Sequence, residues 1–142
     1  PVFFERLKYL KNPTEALLQY AHKIKNADGV LIITPEYNGG YPASLKNAID
    51  VLYEEWYKKP VGIVTVSDGS FGGTQVITSR QFSLWKMKAW TIPAMFPVPR
   101  VDDAFDENGL PKNKDAVLPR AGLFLNELNW CMTAHEKMKS EK

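Results

Sequence analysis

The run Val30-Leu31-Ile32-Ile33 constrains the fold more than any other stretch of this chain. It is continuously apolar and, apart from Leu31, β-branched. An amphipathic strand would alternate, so a run of this kind suits a parallel strand covered on both faces. A second run of the same character spans Val61 to Val66, and a third is expected around Trp90 to Met95. Helical patterns separate them. The Asn12-Pro13-Thr14-Glu15 stretch starts a helix that runs to about Lys25, with Leu17, Leu18, Ala21 and Ile24 on its apolar face. Pro42 opens a second, where it loses no intrahelical bond. Leu45, Ile49, Leu52 and Trp56 form its buried stripe, Lys46 and Asp50 lie one turn apart outside, and Lys59-Pro60 ends the pattern. A third helix is expected from Thr74 to about Lys88. The last runs from about Asp115 to Lys137, with Val117, Ala121, Phe124, Leu128 and Met132 inward. Between strand three and that helix lies a loop rich in Pro, Asp and Asn, from Pro97 to Lys114. The alternation predicts an α/β fold: a doubly wound parallel sheet with helices on both faces, joined by right-handed crossovers.

At 142 residues the chain is one domain by length. A net charge of +2 projects no strong field toward nucleic acid or a membrane surface. The single cysteine, Cys131, cannot form an internal disulfide, which fits a reducing compartment and a cytoplasmic location. No run approaches the roughly 20 apolar residues of a membrane span, and no signal-peptide core opens the sequence.

Two loops leave strands at the carboxyl end of the predicted sheet, where open α/β sheets bind ligands. They are Thr34 to Tyr41 and Ser67 to Gly73. Both combine glycines with small polar residues, and glycine admits positive φ and close backbone approach. Pro35 stiffens the strand exit, and Asn38-Gly39-Gly40 makes a tight turn. Tyr37 offers a flat face, and Glu36 a carboxylate at the entrance of the Pro42 helix. Taken singly these are turn residues. Paired at corresponding strand ends, they suggest amides aimed into one cleft, able to bind electron-rich oxygens or ring nitrogens.

The stretch ADGVLIITPEYNGGYPASLKNAID, residues 27–50, resembles the signature of the NADPH-dependent FMN reductase family of the flavodoxin-like superfamily. VSDGSFGG, residues 66–73, resembles that family's second flavin loop, and FDENGLP, residues 105–111, its late loop. The resemblance implies a flavodoxin-like domain over residues 1–142. It further implies non-covalent FMN and electron transfer from NADPH or NADH to a small acceptor such as a quinone, flavin, azo dye or metal oxyanion. By the same resemblance Pro35, Glu36, Tyr37, Asn38 and Gly39 line the isoalloxazine, and Ser67, Asp68, Gly69, Gly72 and Gly73 approach its other edge. The flavin accepts hydride at N5 and gathers charge along N1–C2=O, where amides stabilise it. No general base is needed, so the lack of a Ser/His/Asp set agrees with this reading. Tyr37, Tyr41 and Phe71 are candidates to border the open flavin face, where donor and acceptor alternate in ping-pong fashion. The Pro42 helix commonly contacts a second subunit in relatives, and Tyr53, Trp56 and Tyr57 cluster at its end. A homodimer or homotetramer is therefore expected, with no nucleic-acid or membrane partner.

The sequence departs from the family in places. The family's Gly-Ser phosphate loop has no counterpart here, and Pro1-Val2-Phe3-Phe4 looks like the segment after the family's second strand. Without the family's first strand, Val30 to Ile33 becomes an edge, which predicts that an upstream segment or another chain covers it. Asp68 adds a carboxylate beside the second loop, and Gly40 stands where many relatives carry Ser. Two other classes fit the sequence less well. A serine hydrolase fails because Asp68, not Gly, precedes Ser70 by two residues. A non-catalytic flavin-binding redox sensor or interaction module of the same fold is the alternative to a reductase. Metal binding has only Cys131 and His135, four residues apart, with His22 alone elsewhere, so no metal site is expected.

Overall fold

The axis of the sheet is the strand from Pro60 to Val66, β2, buried along almost its whole length. The computed structural model describes residues 5–141, so the Pro1–Phe4 stretch lies outside the described residues. β1, Val30–Pro35, runs parallel to β2 in unbroken register from Val30 opposite Val61 to Pro35 opposite Val66. On the other side of β2 lie two short parallel pieces, β3 (Trp90–Thr91) and β4 (Phe96–Val98). The sequence predicts one strand there. The structure interrupts it after Ile92, whose amide still reaches the Val61 carbonyl, because Pro93 has no N–H to continue the ladder.

Helices cover both faces, as the alternation of elements implies. α1 (Glu15–Asn26), α2 (Ala43–Asp50) and α3 (Thr74–Lys86) share one core with Ile32, Val61 and Ile63. α5 (Lys114–Ser140) covers the opposite face, where Phe124, Leu128 and Cys131 pack with Val64, Ile92 and Val98. α4 is a single turn, Val101–Ala104, in the stretch expected to be loop. α5 approaches β2 so closely that a Cβ on Gly62 would lie 2.8 Å from Cζ of Phe124. Caps form where the sequence signals them: Thr14 Oγ1 accepts from the Leu17 amide and Asn113 Oδ1 from that of Ala116.

Four expectations need correction. β1 is covered on one face only: Ile32 and Thr34 are buried, whereas Leu31 is 42% and Ile33 64% exposed on the α5 side. α5 lies over β2 and β4, and among the described residues β1 pairs with β2 alone, so it is an edge. α2 ends at Asp50, and a separate 3-10 turn at Glu54–Trp56 carries Trp56 into the core. Trp56 is buried, as its place in the apolar stripe implies, with its indole N–H on the Ile49 carbonyl at 3.1 Å, and this removes it from the aromatic cluster expected at a subunit contact. Leu18 is exposed, leaving Leu17 and Ala21 as the buried contacts of α1.

Candidate functional site

The register of β1 on β2 places the two glycine-bearing loops level with each other. The ladder continues one residue into the first loop, where the Glu36 amide donates to the Val66 carbonyl at 3.1 Å. Tyr37 and Gly40 then exchange hydrogen bonds of 2.7 and 2.9 Å across a tight turn. Its central residues, Asn38 (φ 52) and Gly39 (φ 77), are both left-handed, which only Gly and Asn adopt readily. Gly39 abuts the Gln75 carboxamide of α3.

The second loop is held from below and behind. Thr65, fully buried, donates through Oγ1 to the Gly72 carbonyl at 2.6 Å. The Ser67 amide donates to Val98 O, the Arg100 amide to Gly69 O, and the Ser67 hydroxyl accepts from Gly69 N. Gly72 (φ 59) and Gly73 (φ 72) are buried, and protein fills the space their Cβ atoms would take. Pro97 and Pro99 crowd Gly72, while Thr65 and Glu36 crowd Gly73. Packing and backbone conformation therefore account for these two glycines, and the ligand-facing part of the loop is Asp68 to Phe71. Glu36 differs from its expected place. Its carboxylate sits against Gly73, which precedes α3, and so faces the positive end of the α3 dipole instead of the entrance of α2.

The structure thus brings Glu36, Gly39 and the second loop together. Pro35, Asn38, Asp68 and Gly69 are exposed around them. Tyr37 and Phe71 stand out, 64% and 80% exposed, one on each loop. The amides of Asn38, Gly39, Asp68, Ser70 and Phe71 have no acceptor within hydrogen-bond distance among the described residues. Free amides on two adjoining turns, edged by unpartnered aromatic faces, suit a flat heterocycle with carbonyl oxygens and ring nitrogens. An FMN ring system fits this donor set.

Tyr41 is tied elsewhere. Its ring lies 3.5 Å from the Arg80 guanidinium of α3. Arg80 is 0% exposed, and Nε, Nη1 and Nη2 have no hydrogen-bond partner among the described residues. Burial pushes its pKa down, while Tyr41 and Asp50 favour the cation. Sequence reading passed over Arg80, although it shares the buried stripe of Val76, Ile77 and Leu84. The late loop closes on itself: the Asp106 carboxylate accepts the Asn108 and Leu110 amides, and Phe105 bridges to Pro111. A cavity of about 670 Å³ lies away from both loops, between α2 and α3. Ser70 is exposed with no histidine beside it, and no group of metal-ligating side chains occurs among the described residues. None of the described helices is long and apolar enough to cross a membrane.

Fold and loops together define an open α/β protein of the flavodoxin-like class. Residues 1–103 match the family model described as NADPH-dependent FMN reductase, and the chain belongs to that family. It is 41% identical over 87 residues to an NAD(P)H-dependent FMN reductase of Schizosaccharomyces pombe, covering 61% of this chain and 41% of that protein. An NADPH azoreductase of a Bacillus species is 30% identical over 131 residues, 89% of this chain and 69% of the relative. Among solved structures, the flavoenzyme NAD(P)H:(acceptor) oxidoreductase FerB of Paracoccus denitrificans superposes with a TM-score of 0.72 at 24% identity, over 94% of this chain and 75% of that one. The chain spans under half the length of the fission-yeast relative.

Proposed function

We propose that this chain holds FMN between its two loops and passes electrons from NADPH or NADH to a small-molecule acceptor. The observation that carries the reading is the locked adjacency of the loops. The Glu36 amide is bonded to Val66 at the end of β2, and the Glu36 side chain packs on Gly73, so the first loop is fixed beside the second. Pro35, Glu36, Tyr37, Asn38 and Gly39 form one edge of the proposed cleft, and the stretch from Asp68 to Phe71 the other, with Ser67, Gly72 and Gly73 holding that second loop in place from beneath. The bound flavin supplies reversible hydride acceptance. The protein's own part is to place the ring, to present amides already oriented toward its oxygens and nitrogens, and to leave one face open. Tyr37 and Phe71 border that face. A single open face lets donor and acceptor enter only in turn, which is the ground for a ping-pong mechanism.

The names of relatives support the acceptor class: an azoreductase in a Bacillus species and a quinone reductase in Pseudomonas putida. A homodimer or homotetramer through the α2 side belongs to the same proposal. There Tyr57 is exposed, while the Tyr53 ring is covered by Arg6 at 4.4 Å. A cytoplasmic setting is proposed on the lone free cysteine. The test is the purified protein at its full natural length. It should be yellow, release FMN on denaturation, bleach with NADPH and turn over repeatedly with benzoquinone. Protein that takes up no FMN from a micromolar solution would overturn the reading. Protein that bleaches once and does not turn over would assign a sensor.

A further inference from the structure

We propose that Arg80 is a positioning residue for the first flavin loop, acting through the ring of Tyr41. The inference rests on the flavin reading above. Arg80 sits on α3, the helix that leads directly out of the second loop, with no exposed surface. An arginine cannot shed its proton under ordinary conditions, so the whole charge is buried. Burial removes its hydration, and no acceptor replaces the lost hydrogen bonds among the described residues. An apolar side chain could fill the same volume without that penalty. Packing alone therefore does not call for arginine here.

The partner present is an aromatic face. The guanidinium carbon lies 3.5 Å from the centroid of Tyr41, and cation–π attraction strengthens as water is excluded. The acid whose field reaches Arg80 is Asp50, and that carboxylate is engaged by Lys46. Tyr41 follows Gly40 directly, and Gly40 closes the turn through its two bonds with Tyr37. Arg80 thereby holds the outgoing leg of the first loop. The incoming leg is held by Glu36 on Val66, and the tip by Gln75 against Gly39. All three anchors belong to β2 and α3, the unit that carries the second loop. α3 thus meets the first loop through two charged groups, Arg80 stacked on Tyr41 and the Glu36 carboxylate at Gly73.

A loop that is held in the binding conformation only part of the time weakens apparent affinity by that fraction. The test compares Tyr41→Phe, Tyr41→Leu, Arg80→Lys, Arg80→Met and the Tyr41→Leu/Arg80→Met double variant in the protein at its full natural length. FMN dissociation constants, flavin midpoint potentials and amide exchange of residues 38–40 are read beside thermal midpoints. Tyr41→Phe keeps the ring and should match the parent in FMN affinity. Tyr41→Leu and Arg80→Met should each weaken FMN about tenfold, or ~1.4 kcal/mol, and speed exchange at residues 38–40. The double variant should be no weaker than either single one, and Arg80→Lys should fall between. Parent-like affinity and exchange in Tyr41→Leu and Arg80→Met, whatever their thermal midpoints, overturn the proposal. So does a Tyr41→Phe variant as weak as Tyr41→Leu, which would assign the hydroxyl. Should Arg80→Met not fold, the two Tyr41 variants decide. Should the parent take up no FMN, the flavin reading fails, and exchange at residues 38–40 still decides whether the stack holds the loop.

Discussion

Replacing Thr65 by Val removes one atom's hydrogen-bonding capacity from beneath the second loop and changes little else in shape. Thr65 has no exposed surface, and its hydroxyl donates to the Gly72 carbonyl at 2.6 Å. The exchange deletes a bond of about 1 kcal/mol net and leaves the Gly72 oxygen desolvated, for a combined cost of about 1–3 kcal/mol. The added methyl returns up to ~0.8 kcal/mol through apolar burial. With the methyl at its full value, a net loss of about 0.2–2 kcal/mol follows. Thr65→Ser separates the causes: it keeps the donor and loses a buried methyl, for about 1 kcal/mol. Urea unfolding should place both variants near each other in stability, at unchanged m. FMN affinity should split them, because only Val frees the Gly72 carbonyl and loosens the second loop. A Thr65→Val variant that binds FMN as tightly as the parent would refute the tether, since loss of the anchor on the Gly72 carbonyl would then leave the second loop in place.

Further tests use the same purified protein. Gly73→Ala forces a side chain into φ +72 with its Cβ 3.1 Å from that of Thr65, so urea unfolding should show a loss of about 2–3 kcal/mol. Gly40→Ala is the control: its φ is not positive and the nearest atom is 3.6 Å away, so stability should hardly change. Glu36→Gln removes a carboxylate from the positive end of α3, for about 0.5–1 kcal/mol. It should also shift the flavin midpoint potential, and an unmoved potential would leave Glu36 a purely structural role. His135 is held below its ordinary 6.5, first by burial and then by Lys139, Lys59 and Lys58, against Asp28. Below 6.5 the unfolded chain therefore binds more protons than the folded one, so stability falls as pH drops through that window. His135→Gln should flatten this fall in urea midpoints measured across that range.

The elements and the two loops were legible because their signals are local. A β-branched run, a proline at a helix start, Thr14 and Asn113 at caps and Asn38-Gly39 at a turn each act within a few residues. Where they failed, the deciding atoms lay far away in sequence. Val30 to Ile33 reads as doubly buried because the run itself carries no record of which helix lies over it. Only the placement of α5 over β2 and β4 shows Leu31 and Ile33 bare. Glu36 belongs by sequence to the helix that follows it and by contact to α3. Arg80 looks like any helical arginine until Tyr41 is found against its buried charge. Backbone preference and apolar period thus determined the strands, the helices and the loop chemistry. Which side chains meet at the cleft depended on parallel pairing of β1 with β2, because that register brings together residues about 30 positions apart that no local pattern connects.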